Sequence, residues 1–523
     1  VTLGSGALHT SVSADNNTAI GYSSLYANTT GSSNIAVGRS ALGANTTGGY
    51  NVALGYEVLN ANTTASENVG VGSQALYSNT TGSYNIGIGS NALLRNTTGT
   101  YNTAVGYLAL DHNTTADNNT AVGYAALTSN TTGTSNVAVG SEALDANTTA
   151  NGNTAIGAST LGTNTTGSNN SALGQGALFA NTTAANNTAV GYFALNANTT
   201  GNQNVAVGAE ALDANTTGAN NTAIGDSTLS ANTTASFNTA VGRASLNANT
   251  TGANNVGVGV SSLLVNTTGD FNTAIGTGSL ASNTTASKNI AVGQSALNAN
   301  TTGAGNVAVG YQSMVVNATG DKNAAVGTNA LQDNTTGSHN IAIGENCLAD
   351  NTTASNNVAI GMDALRENTT GTENTACGTS ALFKNTTADN NTALGYATLY
   401  NTTTGANNTA VGHSALQVNV SGGQNTAVGQ LALLNNTANN NTAVGYACMD
   451  ANTSASDNCA IGAAAMSATT TGGSNTGLGR DALLSLTTGI QNCAVGMGAL
   501  RDVTTGGNNT GVGKAPLNLV LLP

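Results

Sequence analysis

The sequence predicts an all-β fold, a parallel β-solenoid (β-roll) of about 31 coils, and three observations predict it. The first is a 17-residue repeat that covers nearly the whole chain. The second is the segment Asn-x-Ala-(Val/Ile)-Gly, in which bulky and small residues alternate as they do in a β-strand. The third is composition: 6% charged residues, 2 Pro, no Trp and 67 Gly in 523 residues suit neither several ordinary domains nor a disordered chain.

One glycine in each unit shows how regular the repeat is. Gly21 and Gly38 begin a series with steps of 17 that runs to Gly429, and the next step, to Gly445, is one residue shorter. The missing residue belongs to the stretch 435–438. We therefore predict one continuous solenoid over residues 1–513, followed by a C-terminal cap or junction over residues 514–523.

The unit reads Asn-(Thr/Val/Ile)-Ala-(Val/Ile)-Gly-x-x-Ala-Leu-x-x-Asn-Thr-Thr-(Gly/Ala)-x-x, and its positions are numbered one to seventeen from the first Asn. Positions two to four predict a short strand, positions eight and nine a second apolar point after a turn, and positions twelve to fifteen a polar return. A helix is disfavoured because Asn, Thr and Gly fill most of the unit. Each strand should pair with its copy in the next coil, ~4.8 Å away, so that the coils form a rod on the order of 150 Å long.

The alternation also predicts where the core lies. The Val/Ile column at position four and the Leu column at position nine are expected to form a continuous thin core. Positions three and five hold only small residues, such as Ala19, Ala36 and Gly70. This small face is expected to lie against a closely approaching backbone layer, either another strand of the same coil or another chain.

The Asn at position one has two physical interpretations. Identical amides stacked in successive coils form a hydrogen-bonded ladder, whereas a single Asn can also shape a local Asx-type turn. The two can hold together, and neither is catalytic. The structural Asn ladder is predicted on Asn17, Asn34, Asn51, Asn68 and Asn85.

The Asn-Thr-Thr triplet that begins at position twelve is a formal N-glycosylation sequon. The alternative is that an Asn- and Thr-rich turn produces sequons by composition alone. Loss of the Asn in the last units, where Thr469, Leu486 and Val503 stand instead, favours a surface role for this position. Ice binding by a threonine array is disfavoured, because adjacent threonines point in opposite directions. The candidate glycosylation sites are Asn28, Asn45, Asn62, Asn79, Asn96, Asn113, Asn130 and Asn147.

Other reactive side chains give no pattern of a site. The five Cys occupy small-apolar repeat positions and are read as core residues, and the four His show no metal-ligand spacing. Acidic residues such as Glu57, Asp111, Glu142 and Asp213 are expected to face solvent. Ten Lys and Arg in the whole chain argue against a nucleic-acid partner. We predict no catalytic residue, no metal and no cofactor.

Tyrosines recur beside the strand, directly after its Gly or directly before its Asn. They are interpreted as an outer surface that covers the thin core, with an aromatic surface for glycans or a receptor as the alternative. The tyrosines are Tyr22, Tyr50, Tyr56, Tyr84, Tyr101, Tyr107, Tyr124, Tyr192, Tyr311, Tyr396 and Tyr446.

Two strand segments carry a family resemblance. The segments Asn34-Ile35-Ala36-Val37-Gly38 and Asn340-Ile341-Ala342-Ile343-Gly344 resemble the core of the head repeats in trimeric autotransporter adhesins, and similar units occur in phage tail-fibre-like proteins. The resemblance implies a left-handed β-roll and a homotrimer with the small face near its interface. The unit of this chain is longer than the usual head repeat, because Asn-Thr-Thr fills an additional turn.

Together these features predict a non-enzymatic, structural protein of the extracellular space, cell surface or virion. It would be a stiff adhesive shaft or spacer whose partners are copies of itself and a host-surface glycan or receptor, with no membrane insertion in this segment. The alternative is a monomeric subunit that joins end to end into an extracellular filament, glycosylated or not. A solenoid lyase or an endosialidase-like enzyme is a third class, and no residue pattern points to it.

Overall fold

The computed structural model describes residues 1–514, so all of the predicted cap at 514–523 except Lys514 lies outside the described residues. The described part is a parallel β-solenoid with a 17-residue repeat, and no helix occurs between residues 1 and 514. The solenoid class, the repeat and the parallel pairing predicted from the sequence are confirmed.

The chain divides into two compact stacks of coils. The first stack comprises Val1–Ser261 and Asn266–Thr268, and the second comprises Ser262–Val265 and the described residues from Gly269 onward. The strands of the first stack are β1 (Thr2–Leu3), β2 (Thr18–Ile20), β3 (Ile35–Val37), β4 (Val52–Leu54), β5 (Val69–Val71), β6 (Ile86–Ile88), β7 (Thr103–Val105), β8 (Thr120–Val122), β9 (Val137–Val139), β10 (Thr154–Ile156), β11 (Ser171–Leu173), β12 (Thr188–Val190), β13 (Val205–Val207), β14 (Thr222–Ile224), β15 (Thr239–Val241) and β16 (Val256–Val258).

The second stack repeats the same element. Its strands are β17 (Thr273–Ile275), β18 (Ile290–Val292), β19 (Val307–Val309), β20 (Ala324–Val326), β21 (Ile341–Ile343), β22 (Val358–Ile360), β23 (Thr375–Cys377), β24 (Thr392–Leu394), β25 (Thr409–Val411), β26 (Thr426–Val428), β27 (Thr442–Val444), β28 (Cys459–Ile461), β29 (Thr476–Leu478), β30 (Cys493–Val495) and β31 (Thr510–Val512).

Register within each stack follows the repeat. Strand β2 pairs with β3 so that Ala19 lies beside Ala36, 17 residues on. Between β26 and β27 the offset is 16, since Thr426 lies beside Thr442. The missing residue is absorbed in the polar return, where Nδ2 of Asn436 donates to the carbonyl of Ala438, two residues on instead of three. The strands therefore stay in register across the deletion.

Backbone hydrogen bonds between coils are not confined to the strands. The N–H of Ser23 at position seven donates to Ser5 of the preceding coil at 3.0 Å, whereas the N–H of Leu25 at position nine donates to Ala41 of the next coil at 2.9 Å. This pattern requires left-handed backbone at positions seven, nine and seventeen, and Leu25 has a φ of 49°. Most of each coil, including its turns, is thus bonded along the stacking direction.

The core differs from the predicted one. Ala at position three and Leu at position nine are fully buried, as in Ala36 and Leu42, whereas position two and position four face outward. The prediction that the Val/Ile column belongs to the core is therefore wrong. The reason is the left-handed residues, which turn the return segment toward the small side of the strand.

The small face of the strand packs against the same chain. A Cβ added to Gly87 would lie 3.1 Å from Cγ of Leu76, the position-nine leucine of the preceding coil. The predicted neighbours were another strand of the same coil or another chain, whereas the structure places the Leu76 side chain and the carbonyl oxygen of Ala92 there, both outside the strands of the same chain. Small residues are needed there because the Leu column occupies the remaining space.

Candidate functional surfaces

The position-one Asn side chains form a buried ladder. The backbone N–H of Asn34 donates to Oδ1 of Asn17 at 2.8 Å, and Nδ2 of Asn34 donates to the carbonyl of Gly48 at 2.9 Å. The first bond joins two coils, and the second ties the start of a coil to its own return segment. Oδ1 of the position-one Asn thus accepts from the next coil, as the ladder interpretation predicts. The same geometry recurs at Asn51, Asn68 and Asn85.

The position-twelve Asn side chains form a second ladder, which the sequence reasoning missed. Nδ2 of Asn45 donates to Oδ1 of Asn28 at 2.8 Å and to the carbonyl of Gly48 at 2.9 Å. Gly48 therefore accepts from an Asn of each ladder, so the two ladders are joined in this coil. The recurrence of Asn at position twelve is the signal for this ladder in the sequence, and the same recurrence also produces the sequons.

All eight candidate glycosylation asparagines belong to this second ladder. Each is fully buried, and from Asn45 onward each Nδ2 already donates two hydrogen bonds. A glycan is attached through this nitrogen, so attachment would break the ladder and need space that the core does not offer. In this fold we expect these nitrogens to remain unmodified.

The second ladder is interrupted in the second stack. Thr402 occupies position twelve there, and Oδ1 of Asn385 has no hydrogen-bond partner. On the other side, Nδ2 of Asn419 lies 3.5 Å from Oγ1 of Thr402, which is a long hydrogen bond. Position twelve nevertheless stays internal in the last units, so the surface role predicted for it is wrong. The buried replacements are Thr469, Leu486 and Val503.

Position two and position four form a regular outward surface, which we call the strand face. Position four is aliphatic in every unit from Ile20 to Val512 except for Cys377, and position two is mostly Thr, Val or Ile. Ile35, Leu173 and Ile224 remain 41%, 47% and 40% exposed. No charged residue occurs at either position in any unit. The strand face is therefore an uncharged and largely aliphatic strip along each stack.

The two threonines of each return have different environments. Oγ1 of Thr29 donates to the carbonyl of Thr46 in the next coil at 2.9 Å, whereas Thr30 is exposed. Only the position-fourteen threonine therefore projects into solvent as a column, in agreement with the expected opposite orientation of neighbouring threonines.

Several tyrosines stack on an aromatic ring of the next coil. Tyr84 and Tyr101 lie 5.0 Å apart between ring centroids, and Tyr107 and Tyr124 lie 5.9 Å apart. These rings are about half exposed. They lie on the outer surface, as predicted, but the Ala and Leu columns are already fully buried beneath the coil backbone.

Some acidic residues are less exposed than predicted. Asp111, at position ten, is 5% exposed, its Oδ1 has no hydrogen-bond partner, and its Oδ2 lies 3.5 Å from Nδ1 of His112. Burial raises the pKa of Asp111, and the same cause raises the pKa of Asp145 and Asp213 at the same repeat position. The prediction that Asp111 faces solvent is therefore wrong.

The cysteines fall into two groups. Cys347 and Cys448 are buried at position eight, and burial raises the pKa of both thiols to about 12, which keeps them as unreactive thiols. Cys377 is exposed, and Cys459 and Cys493 are half-buried. These three lie on the strand face, so the prediction of a core role holds only for the first two.

Fold and surfaces together define a repeat protein of the β-solenoid class. Comparison with protein-family models and with curated proteins finds no match for this chain. Within residues 1–514, no group of three or more His, Cys, Asp or Glu side chains is placed to hold a metal ion. The described residues also contain no helix with the length and apolar character needed to cross a membrane.

Proposed function

We propose that this protein is a non-catalytic structural protein, a stiff shaft or spacer of the adhesin or tail-fibre type, on a cell surface, on a virion or in the extracellular space. The observation that carries the proposal is the direction of the hydrogen bonds. In both stacks, strands, turns and buried amides bond each coil to its neighbours.

Such a construction favours a mechanical role. Each repeat contacts mainly its neighbours, so length grows with the number of units while the cross-section stays constant. Bending would stretch one side of every coil, and each coil opposes this with backbone bonds and two Asn side chains. A spacer needs length and stiffness, and both come from this arrangement.

The assembly that we propose is a homotrimer, supported by the resemblance of the strand segments to adhesin head repeats. The second candidate is a monomer that joins end to end into a filament. It is supported by the axial direction of the N–H and C=O groups, which allows a coil of one copy to pair with a coil of another.

Electron microscopy of single particles tests the shaft. The full chain should give straight particles, and a variant that lacks residues 34–169, eight whole units, should give particles shorter by about 38 Å at ~4.8 Å for each coil. Compact or freely bending particles, or a length that does not change with the deletion, would contradict the proposal.

An antibody raised against the chain tests the location. It should label intact cells or virions of the source without permeabilisation. Labelling only after permeabilisation would contradict a surface role while leaving the particle length unaffected.

A further inference from the structure

The strand face has the character of an interface, and no other segment among residues 1–514 covers it. In the first stack it comprises the outward side chains of β2–β16, which form one contiguous strip. Position-four residues there, such as Leu54, Ile156 and Ile224, are 37–40% exposed. Contiguous exposed apolar patches above a few hundred Å² are rare on monomers and mark interaction sites.

The area of the strip is sufficient for a stable interface. Fifteen three-residue strands at ~4.8 Å spacing make a strip about 70 Å long and 10 Å wide. Two such strips in contact would bury roughly 1,400 Å² in total, which lies within the range of about 1,200–2,000 Å² for specific complexes. The first stack alone thus presents enough surface.

The spacing of the strip selects the kind of partner. Its side chains repeat with one fixed axial step, so a partner matches them over the whole length only if it has the same step. A globular protein would cover a few coils, whereas the strand face of a second copy has the matching step in every coil. Two twisted sheets of this type pack face to face about 10 Å apart.

The distribution of charge permits the same contact. The chain carries a formal net charge of −13, which would oppose association through a charged surface. In the first stack, however, the acidic residues are found at other repeat positions, as in Glu142 at position seven and Asp145 at position ten. Two strand faces can therefore meet without placing like charges opposite each other.

We infer that the strand face is a lateral self-association surface, on which the strand face of a second copy of this chain packs. This inference concerns the same self-association as the proposed function but predicts a pair of copies, because two strand faces in contact cover each other. A homotrimer would use another surface. The shaft role does not depend on it.

Charge introduced on the strand face tests the inference. The variant V190K/V207K/I224K places three lysines on consecutive strands of the first stack. The matched control T200K/T217K/T234K adds the same charge in the same three coils, at exposed position-fourteen threonines. We expect the wild type and the control to have a mass in solution of twice 51.0 kDa, and the strand-face variant to fall to 51.0 kDa with an unchanged circular dichroism spectrum.

Thiol labelling gives a second measurement, at a residue that is not substituted in the variant. Cys377, on the strand face of the second stack, should be protected from a maleimide in the assembled wild type and labelled in the strand-face variant. Cys347 and Cys448 should stay unlabelled in both and report that the chain is folded.

A wild type of 51.0 kDa at micromolar concentration would overturn the inference and the trimer but not the shaft. A multimer with accessible Cys377, or one that the strand-face variant leaves intact, would overturn only the inference, because the copies would then associate through another surface.

Discussion

At the scale of residues, each coil depends on a few backbone conformations that most side chains avoid. Leu42 at position nine has a φ of 51°, in a region that costs a non-glycine residue roughly 1–2 kcal/mol. The hydrogen bond of its N–H to Val58 in the next coil, at 3.0 Å, and the complete burial of its side chain offset this cost. The left-handed conformation is therefore tolerated at position nine, where the same hydrogen bond and the same burial recur from coil to coil.

The position-five Gly gives the first residue-scale prediction. Gly310 has a φ of 139°, and a Cβ there would overlap the carbonyl oxygen of Gly327 in the next coil. Gly305 has a φ of 69°, and a Cβ there would contact only Cγ of Lys322 at 3.6 Å. We expect G310A to lower the free energy of unfolding by about 2 kcal/mol more than G305A, measured by urea denaturation. Equal losses of stability would contradict the close approach of the next coil at position five.

A second prediction concerns a compensating pair in the first stack. Val58 replaces the usual Ala at position eight, and Gly70 replaces the usual Ala at position three of the next coil, where a Cβ would overlap Cγ1 of Val58. We expect G70A and V58A each to destabilise the chain, the first by overlap and the second by leaving a cavity. The double variant V58A/G70A restores the common pair, and its loss should be smaller than the sum by about 1 kcal/mol or more.

The control for this cycle is a pair with ordinary residues. Ala41 and Ala53 occupy the same two positions one coil earlier. Substitutions A41G and A53G should add without coupling. Additive losses for Val58 and Gly70 would show that the two changes arose independently.

At the scale of elements, the return segment at positions twelve to fifteen is more than a connector. Its Asn lies at the centre of the coil, bonded to the Asn before it and to the carbonyl three residues on, as Asn62 is to Asn45 and Ala65. A buried amide costs free energy unless its groups are paired, and the ladder pairs them through the stack. The strand therefore gives one side of the coil, and the return gives a polar but satisfied interior.

Repair of the interrupted ladder is the prediction at this scale. T402N should place an amide between Asn385 and Asn419, so that Oδ1 of Asn385 gains a donor. We expect the free energy of unfolding to rise by about 1–2 kcal/mol, as for satisfying a buried polar group. The matched control T403N changes the neighbouring half-exposed threonine, whose hydroxyl donates to Val420 at 3.3 Å, and should give no gain. A lower free energy of unfolding in T402N would mean that this coil cannot accommodate an Asn at position twelve.

At the scale of the whole molecule, the low charge content follows from stacking. Identical charges in successive coils would lie ~4.8 Å apart and repel. Charged residues therefore occur at variable positions, and in the first stack some of these, such as Asp111 and Asp145, are partly removed from water. Burial is unfavourable for the ionised form of these carboxyl groups, and much less so for their protonated form.

The pH dependence of stability follows from these acids. Because burial raises the pKa of Asp111, Asp145 and Asp213, the folded chain binds protons more tightly than the unfolded chain in the window between the two pKa values. Their contribution should raise the free energy of unfolding as pH falls from 7 toward about 4, and it is lost as pH rises through the folded-state pKa. Thermal unfolding should show a higher midpoint at about pH 4 than at pH 7, if only these groups are considered.

A variant separates these acids from the general effect of charge. D111N/D145N/D213N should be more stable than the wild type at pH 7.5 and should show a flatter dependence on pH. The exposed control D15N should retain the wild-type slope. An unchanged slope in the triple variant would show that the position-ten carboxylates are not its source.

The sequence determined the repeat, the parallel pairing and the place of the short strand. The spacing of Asn17, Gly21 and Leu25 allows a single register between coils, and the alternation of large and small residues has the period of a strand. The recurrent Asn at position one also pointed to a ladder, since identical amides must meet when identical coils stack.

Only the tertiary structure decided which face of the strand lies inside. Alternation shows that Ala36 and Val37 point in opposite directions, but the inner side depends on how the chain turns after Gly38. That turn is set by residues with a positive φ, such as Ser40 and Leu42. Because these residues are not glycines, the sequence does not indicate their left-handed conformation. Once the turn brings Leu42 beneath the small residues, Asn45 is buried and Val37 faces outward. The same turn therefore explains why the core differs from the predicted one and why the Asn of the sequon is buried. It also explains why an aliphatic face points outward, where a partner can bind.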